Sequence, residues 1–163
     1  MKVLAAVAIV LGILVGSDLP ALAETSVNFS GTWELDRSRS VLPSRGPWAL
    51  ISALTLVIDH QGDTLRIERR AEIMRVPQSF VTTIYTDGRE ASNQTPRGET
   101  VVSKCHWEGN RLVTVHKGPT DSTSGTDTRY LAEEGKVLIV DSVLPPRSGG
   151  DNPERAHVVF VRK

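Results

Sequence analysis

Apolar and polar residues alternate along most of the chain, and the alternation is broken at short intervals by turn residues. Gly31, Trp33 and Leu35 share one face against Thr32, Glu34 and Asp36, the period-of-two pattern of a strand with one buried side. Leu54, Leu56 and Ile58 repeat the rhythm, and Leu65 and Ile67 answer them against Arg66, Glu68 and Arg70. His60-Gln61-Gly62-Asp63 between the two runs is turn chemistry, since Gly62 can take a positive φ, so the pair reads as a hairpin. Arg69-Arg70 reads as solvated surface. Phe80–Tyr85 is rich in β-branched residues, and Asp87-Gly88 is a two-residue hairpin signal. Glu99–Trp107 and Asn110–Lys117 pair around Gly109. There Val101, Ser103, Cys105 and Trp107 oppose Val102, Lys104 and His106, while Leu112, Thr114 and His116 oppose Arg111, Val113 and Val115. Both faces of the latter strand carry apolar side chains, so its inside and outside stay open. Asp127–Ala132 pairs with Val137–Val143 around Glu133–Lys136, and Ala156–Lys163 closes the chain.

Three stretches lack this rhythm. Arg37–Ser52 holds Pro43, Gly46 and Pro47 and reads as a crossing loop, with one helical turn over Pro47–Ser52 because proline suits a first helical position; Trp48 would plug one end of the core. Gly118–Gly125 and Leu144–Pro153 are loops dense in Gly, Pro, Ser and Asp. About ten short strands joined hairpin to hairpin remain. Neighbours in sequence are then neighbours in space, and an open meander of that length would leave two exposed edges. Closure removes them. The expected fold is all-β: an up-and-down antiparallel β-barrel of about eight to ten strands.

The first residues belong to another category. Met1-Lys2, a nearly unbroken apolar run over Val3–Val15, and Ala21-Leu22-Ala23 before Glu24 follow the plan of a secretory signal peptide. The run is short of the about 20 residues a membrane span needs. The expected organisation is a leader over 1–23 and one barrel domain over 24–163, exported to the periplasm or beyond the cell, with no stable membrane insertion after cleavage.

Formal net charge is zero, and this balanced surface excludes a dedicated nucleic-acid binder, which needs clustered positive charge. Cys105 is the one cysteine; it cannot form an internal disulfide and, set in an alternating strand, reads as a buried thiol. The four histidines, His60, His106, His116 and His157, form no metal motif on a helix and no Cys-x-x-Cys accompanies them. His106 and His116 lie symmetrically about Gly109, near a cross-strand pair, but a third ligand is lacking. Cys105 and His106 are adjacent and so point to opposite faces. No Gly-x-Ser-x-Gly elbow is present. We expect no enzyme and no cofactor; a metal- or haem-dependent enzyme is the weakest alternative.

Phe29-Ser30-Gly31-Thr32-Trp33-Glu34-Leu35 resembles the opening strand of the calycin superfamily, the lipocalins and fatty-acid-binding proteins, which share a Gly-x-Trp there. The resemblance implies a lipocalin-like barrel in which the Trp packs under an Arg from the far end of the chain, and Arg162 is the matching residue. His60–Gly62 and Tyr85–Gly88 extend the likeness to a loose group of exported bacterial lipocalin-like proteins. Two features of the superfamily have no counterpart: no helix is expected in 144–154, and a proline-broken loop stands where fatty-acid-binding proteins carry a helix pair.

A barrel of this size either fills its interior with side chains or holds one small ligand. The expectation is a small hydrophobic or weakly polar ligand in the lumen. Candidate lining residues are Leu56, Ile58, Leu65, Ile67 and Ile84 on the first half of the chain. Ser103, Cys105, Leu112, Thr114 and Tyr130 follow on the second. A ligand-free structural or interaction barrel of the cell envelope is the alternative.

Overall fold

A computed structural model describes residues 27–44, 46–120, 123–146 and 150–163; the leader expected over 1–23 lies outside them. Ten strands form one antiparallel sheet: β1 (Gly31–Leu35), β2 (Ile51–Gln61), β3 (Thr64–Ile73), β4 (Val76–Tyr85), β5 (Glu90–Gln94), β6 (Thr100–Glu108), β7 (Arg111–Lys117), β8 (Gly125–Ala132), β9 (Val137–Leu144) and β10 (Glu154–Arg162). Each strand pairs with its sequence neighbour except across the β4–β5 connection, and β1 also pairs with β10. The first and last strands therefore knit together, and the sheet's two free edges, β4 and β5, are brought face to face.

That seam carries no backbone ladder. A side chain bridges it instead: Thr83 N donates to Asn93 Oδ1 and Asn93 Nδ2 donates to Thr83 O, each at 2.8 Å. One amide thus stands in for a ladder rung, because it offers a donor and an acceptor side by side as a peptide does. The result is a nearly closed up-and-down barrel.

The long β1–β2 connection holds two short 3-10 helices, Arg37–Arg39 and Gly46–Leu50. Asp36 caps the first with its carboxylate on Ser38 N and Arg39 N. The second replaces the helical turn expected over Pro47–Ser52; it ends earlier because Ile51 already belongs to β2. Trp48 packs, partly buried, against the core.

Up-and-down winding puts alternate connections at opposite ends. The end with the Gly62, Gly109 and Glu133–Gly135 turns is the floor. Trp33 is fully buried there, and Arg162 Cζ stands 4.2 Å from its ring. Phe29, His60 and Trp107 stack beside them, with Phe29 centred 5.8 Å from His60 and 5.9 Å from Trp107. The opposite end, bounded by the 3-10 helices and the β3–β4 turn, is the mouth.

Candidate functional site

Strand parity and register fix which side chains enter the barrel. Leu56, Ile58, Leu65, Ile67, Ile84, Leu112, Thr114, Ser103 and Cys105 all point inward and are buried. The open question on β7 resolves with Leu112, Thr114 and His116 inside. Tyr130 is different. It lies on the outer face, its hydroxyl donating to Asp141 Oδ2 at 3.1 Å and its ring covered by Arg111 at 4.1 Å. Arg129, the residue before it, takes the lumen position, because neighbours on a strand point to opposite faces.

Packing changes along the barrel axis. Toward the floor, Leu65, Leu112 and Leu138 have no accessible surface. One or two turns of the pleat toward the mouth, the inward residues Arg69, Phe80, Thr82, His116, Asp127 and Ser142 all keep partial accessibility. One pleat nearer the mouth than Arg69, Leu54 and Ala71 are buried again. The floor end is a packed core, and toward the mouth the inward side chains are unevenly buried.

A polar belt lies above the packed floor. Asp127 Oδ2 accepts from Arg129 Nη2 at 2.9 Å and meets His116 Nε2 at 3.0 Å, while Ser142 Oγ donates to Oδ1 at 2.6 Å. Arg129 Nη1 donates to Thr114 Oγ1 at 3.0 Å, and Ser103 Oγ lies 3.0 Å from His116 Nδ1. Burial alone would push the Asp127 carboxyl up, but Arg129, His116 and Ser142 outweigh it and hold it well below the usual carboxylate range. An ionised carboxylate only accepts, so the proton between His116 and Asp127 sits on Nε2.

That order of groups has the connectivity of a nucleophile, base and orienting acid. Its placement argues for a structural role: Ser103 is 2% exposed, and the Asp127 charge is already shared with Arg129. Cys105 is equally enclosed, with Sγ 3.4 Å from Thr114 Oγ1, and burial pushes its thiol up, away from the reactive thiolate.

Arg69 completes the belt from β3. Its guanidinium donates to Thr82 Oγ1 and lies 5.4 Å from the centre of the Phe80 ring. Burial, reinforced by Arg129 and partly offset by Asp127, pushes it down to about 10, so it remains charged at neutral pH. The expectation of a solvated Arg69-Arg70 pair is thus half right. Arg70 is outside, paired with Glu68 at 2.8 Å, whereas Arg69 shares the inward parity of Leu65, Ile67 and Ala71.

The histidines occupy four separate environments. His60 is stacked in the floor and accepts from Phe29 N at 3.3 Å. His116 is in the belt. His106, on the outer face, meets Glu108 at 3.0 Å, and His157 meets Asp141 at 2.6 Å. His106 pairs with Val113 and His116 with Ser103, so the two expected to approach a cross-strand pair lie on opposite faces. Among the described residues no group of three or more His, Cys, Asp or Glu side chains is placed to hold a metal ion. A surface depression of about 380 Å³ lies by Ala53, Arg70, Glu72 and Pro77; it is open, and most of its lining points away from the lumen.

No family model and no curated protein matches the chain. Solved structures do. A "REP1-NXSQ fatty acid transporter" is 16% identical, covers 83% of this chain and 96% of its own, and superposes with a TM-score of 0.61. Human cRBP IV is 18% identical over 84% of this chain and 99% of its own, with a TM-score of 0.61. A Schistosoma mansoni fatty acid binding protein in complex with arachidonic acid is 16% identical over 83% and 96%, with a TM-score of 0.60. The chain has the fold of these barrels, ten antiparallel strands in one nearly closed barrel.

Proposed function

We propose that this protein is an exported carrier or sensor, akin to the exported bacterial lipocalin-like proteins, that holds one small hydrophobic or weakly polar molecule in the mouth half of its barrel and performs no chemistry on it. The observation that carries this is a set of partly accessible inward side chains above a packed floor, Arg69, Phe80, Thr82, His116, Asp127 and Ser142. A barrel with a purely structural role has little use for charged side chains aimed inward, since burying a charge costs free energy that apolar packing does not. Proteins of the same fold named for fatty acids, one of them in complex with arachidonic acid, support the same ligand class. The leader pattern over 1–23 supports export.

Denaturing extraction of the purified protein followed by mass spectrometry tests the reading. A single small amphipathic species is expected at near-stoichiometric yield, or, from protein stripped of ligand, saturable one-to-one uptake of the neutral dye N-phenyl-1-naphthylamine. No extracted ligand together with no dye uptake favours the ligand-free interaction barrel.

A further inference from the structure

The barrel seam leaves a length of β4 unpaired. Thr83 turns its N–H and C=O toward β5, where Asn93 takes both. The β3–β4 register is unbroken from Val76 to Tyr85, and backbone groups alternate sides along an antiparallel strand. Val81, Ser79 and Pro77 therefore aim their backbone groups the same way as Thr83, away from β3. β5 ends at Gln94, one residue past Asn93. Among the described residues no strand continues the ladder along 76–81, and no hydrogen bond reaches the N–H or C=O of Ser79 or Val81 from that side.

Edge strands are ordinarily kept apart by charge, by a bulge or by shortness. β4 is ten residues long and carries no charged side chain, in a chain where 23% of residues are charged. Its free stretch is also apolar: Val76 is 55% and Val81 40% exposed, and Pro77 lies exposed between them. Pro77 takes one N–H from the edge but leaves its carbonyl. The edge then offers donors at Ser79 and Val81 and acceptors at Pro77, Ser79 and Val81. That set is complementary to itself. A second copy laid antiparallel about a two-fold axis through Ser79 exchanges N–H and C=O with the partner's Ser79 in both directions. In the same register each Val81 N–H meets the C=O of the partner's Pro77. Every free donor finds an acceptor, and only the Val81 carbonyl is left to water. A register slipped toward the floor would set Pro77 against the partner's Thr83, whose groups the Asn93 bridge already holds. On the outer face Val81 meets the partner's Pro77, apolar against apolar. Formal net charge is zero, so no overall repulsion opposes the pairing.

We infer that the protein self-associates through β4, the edges of two copies pairing antiparallel about Ser79 into one continuous sheet. The two barrels then lie side by side with their mouths at opposite ends, since the paired strands run in opposite directions. The inference does not depend on what the lumen holds.

Sedimentation equilibrium of the purified protein from micromolar to millimolar concentration tests it, with amide exchange at both ends of the range. A reversible monomer–dimer equilibrium is expected, the Ser79 and Val81 amides gaining protection as the dimer forms. Ser79→Pro removes the central donor without touching the β3–β4 ladder, and Val81→Lys sets a charge on the edge. Each should weaken dimerisation at least about tenfold, while the dilute monomer keeps the wild-type circular dichroism. Ser79→Cys reports the register: mild oxidation should cross-link the dimer, since directly paired Cα atoms stand about 5.5 Å apart. Glu72→Cys, one strand back, should not cross-link, and the native Cys105 is buried. A wild-type chain that stays monomeric throughout overturns the inference. So does a dimer that both Ser79→Pro and Val81→Lys leave unweakened, or one that Ser79→Cys does not cross-link. Protection of the Ser79 and Val81 amides by a co-purified foreign polypeptide, in a chain that never dimerises, overturns it as well.

Discussion

Arg162 lies over the Trp33 ring at 4.2 Å, in the space that a side chain on residue 31 would fill. The guanidinium also donates to Ser30 O at 2.9 Å and Gly135 O at 3.1 Å. Three segments far apart in sequence are thereby held at the floor by one side chain. The Gly-x-Trp pattern follows: the Trp offers the face, and the Gly leaves room for the cation.

Gly31→Ala should therefore unseat Arg162. A Cβ would run into Arg162 Nη1, at a residue whose φ of 144° is unfavourable for any side chain. A loss of about 2–4 kcal/mol is expected from backbone strain together with the lost cation–π contact. Urea denaturation measures it, and Arg162→Ala should lose less, about 1–2 kcal/mol, because the backbone is undisturbed.

Met74 and Arg75 form the β3–β4 turn with φ of 51° and 65°, a geometry that favours Asn-Gly. Met74 is 71% exposed, so replacing it removes little packing. The double variant Met74→Asn, Arg75→Gly should gain about 1 kcal/mol or more and melt higher. An unchanged or lower melting temperature would show that the turn is held by contacts other than its own dihedral preferences.

The Asn93–Thr83 bridge predicts a local opening. Asn93→Ala removes both bonds across the seam, for an expected loss of about 1–3 kcal/mol. Amide exchange at Thr83 should accelerate well beyond what the global loss explains. Asn93→Asp keeps the acceptor for Thr83 N but loses the donor to Thr83 O, and should fall between the two.

Acid should destabilise the barrel in two stages. Burial lowers the His60 pKa, so the unfolded chain binds this proton more readily, and stability falls as pH drops below about 6.5. The Asp127 pKa is depressed, so its contribution is complete above about pH 4 and is lost as pH falls toward the folded value. Urea midpoints between pH 7.5 and 2.5 should show both limbs. His60→Phe should flatten the upper limb and Asp127→Asn the lower one, each relative to its own value at pH 7.5.

Much of the barrel was legible in the residues themselves. Alternation over Leu54–Ile58 and Leu65–Ile67, with Gly62 between, specifies a hairpin wherever it is placed. The absence of long helical periods leaves an antiparallel meander, and Gly31, Trp33 and Arg162 together point to its floor. Arg69 was legible too, in the parity it shares with Leu65 and Ile67; the adjacent Arg70 made the pair look like ordinary surface. Tyr130 misled because β8 places charged Asp127 and Arg129 on its inward face, Arg129 buried, so hydrophobicity does not announce the inside.

The sequence by itself determined the strands, their turns and which residues share a face, since these depend on local backbone geometry and a side-chain period of two. Only the tertiary structure decided which face is inward on β7 and β8, how deep each side chain lies, and which charges meet. Depth along the barrel is fixed by the register of ten strands at once, a relation among distant segments that no local pattern carries. For the same reason Arg69, Asp127, Arg129 and His116, drawn from three different strands, become one belt only when the sheet closes.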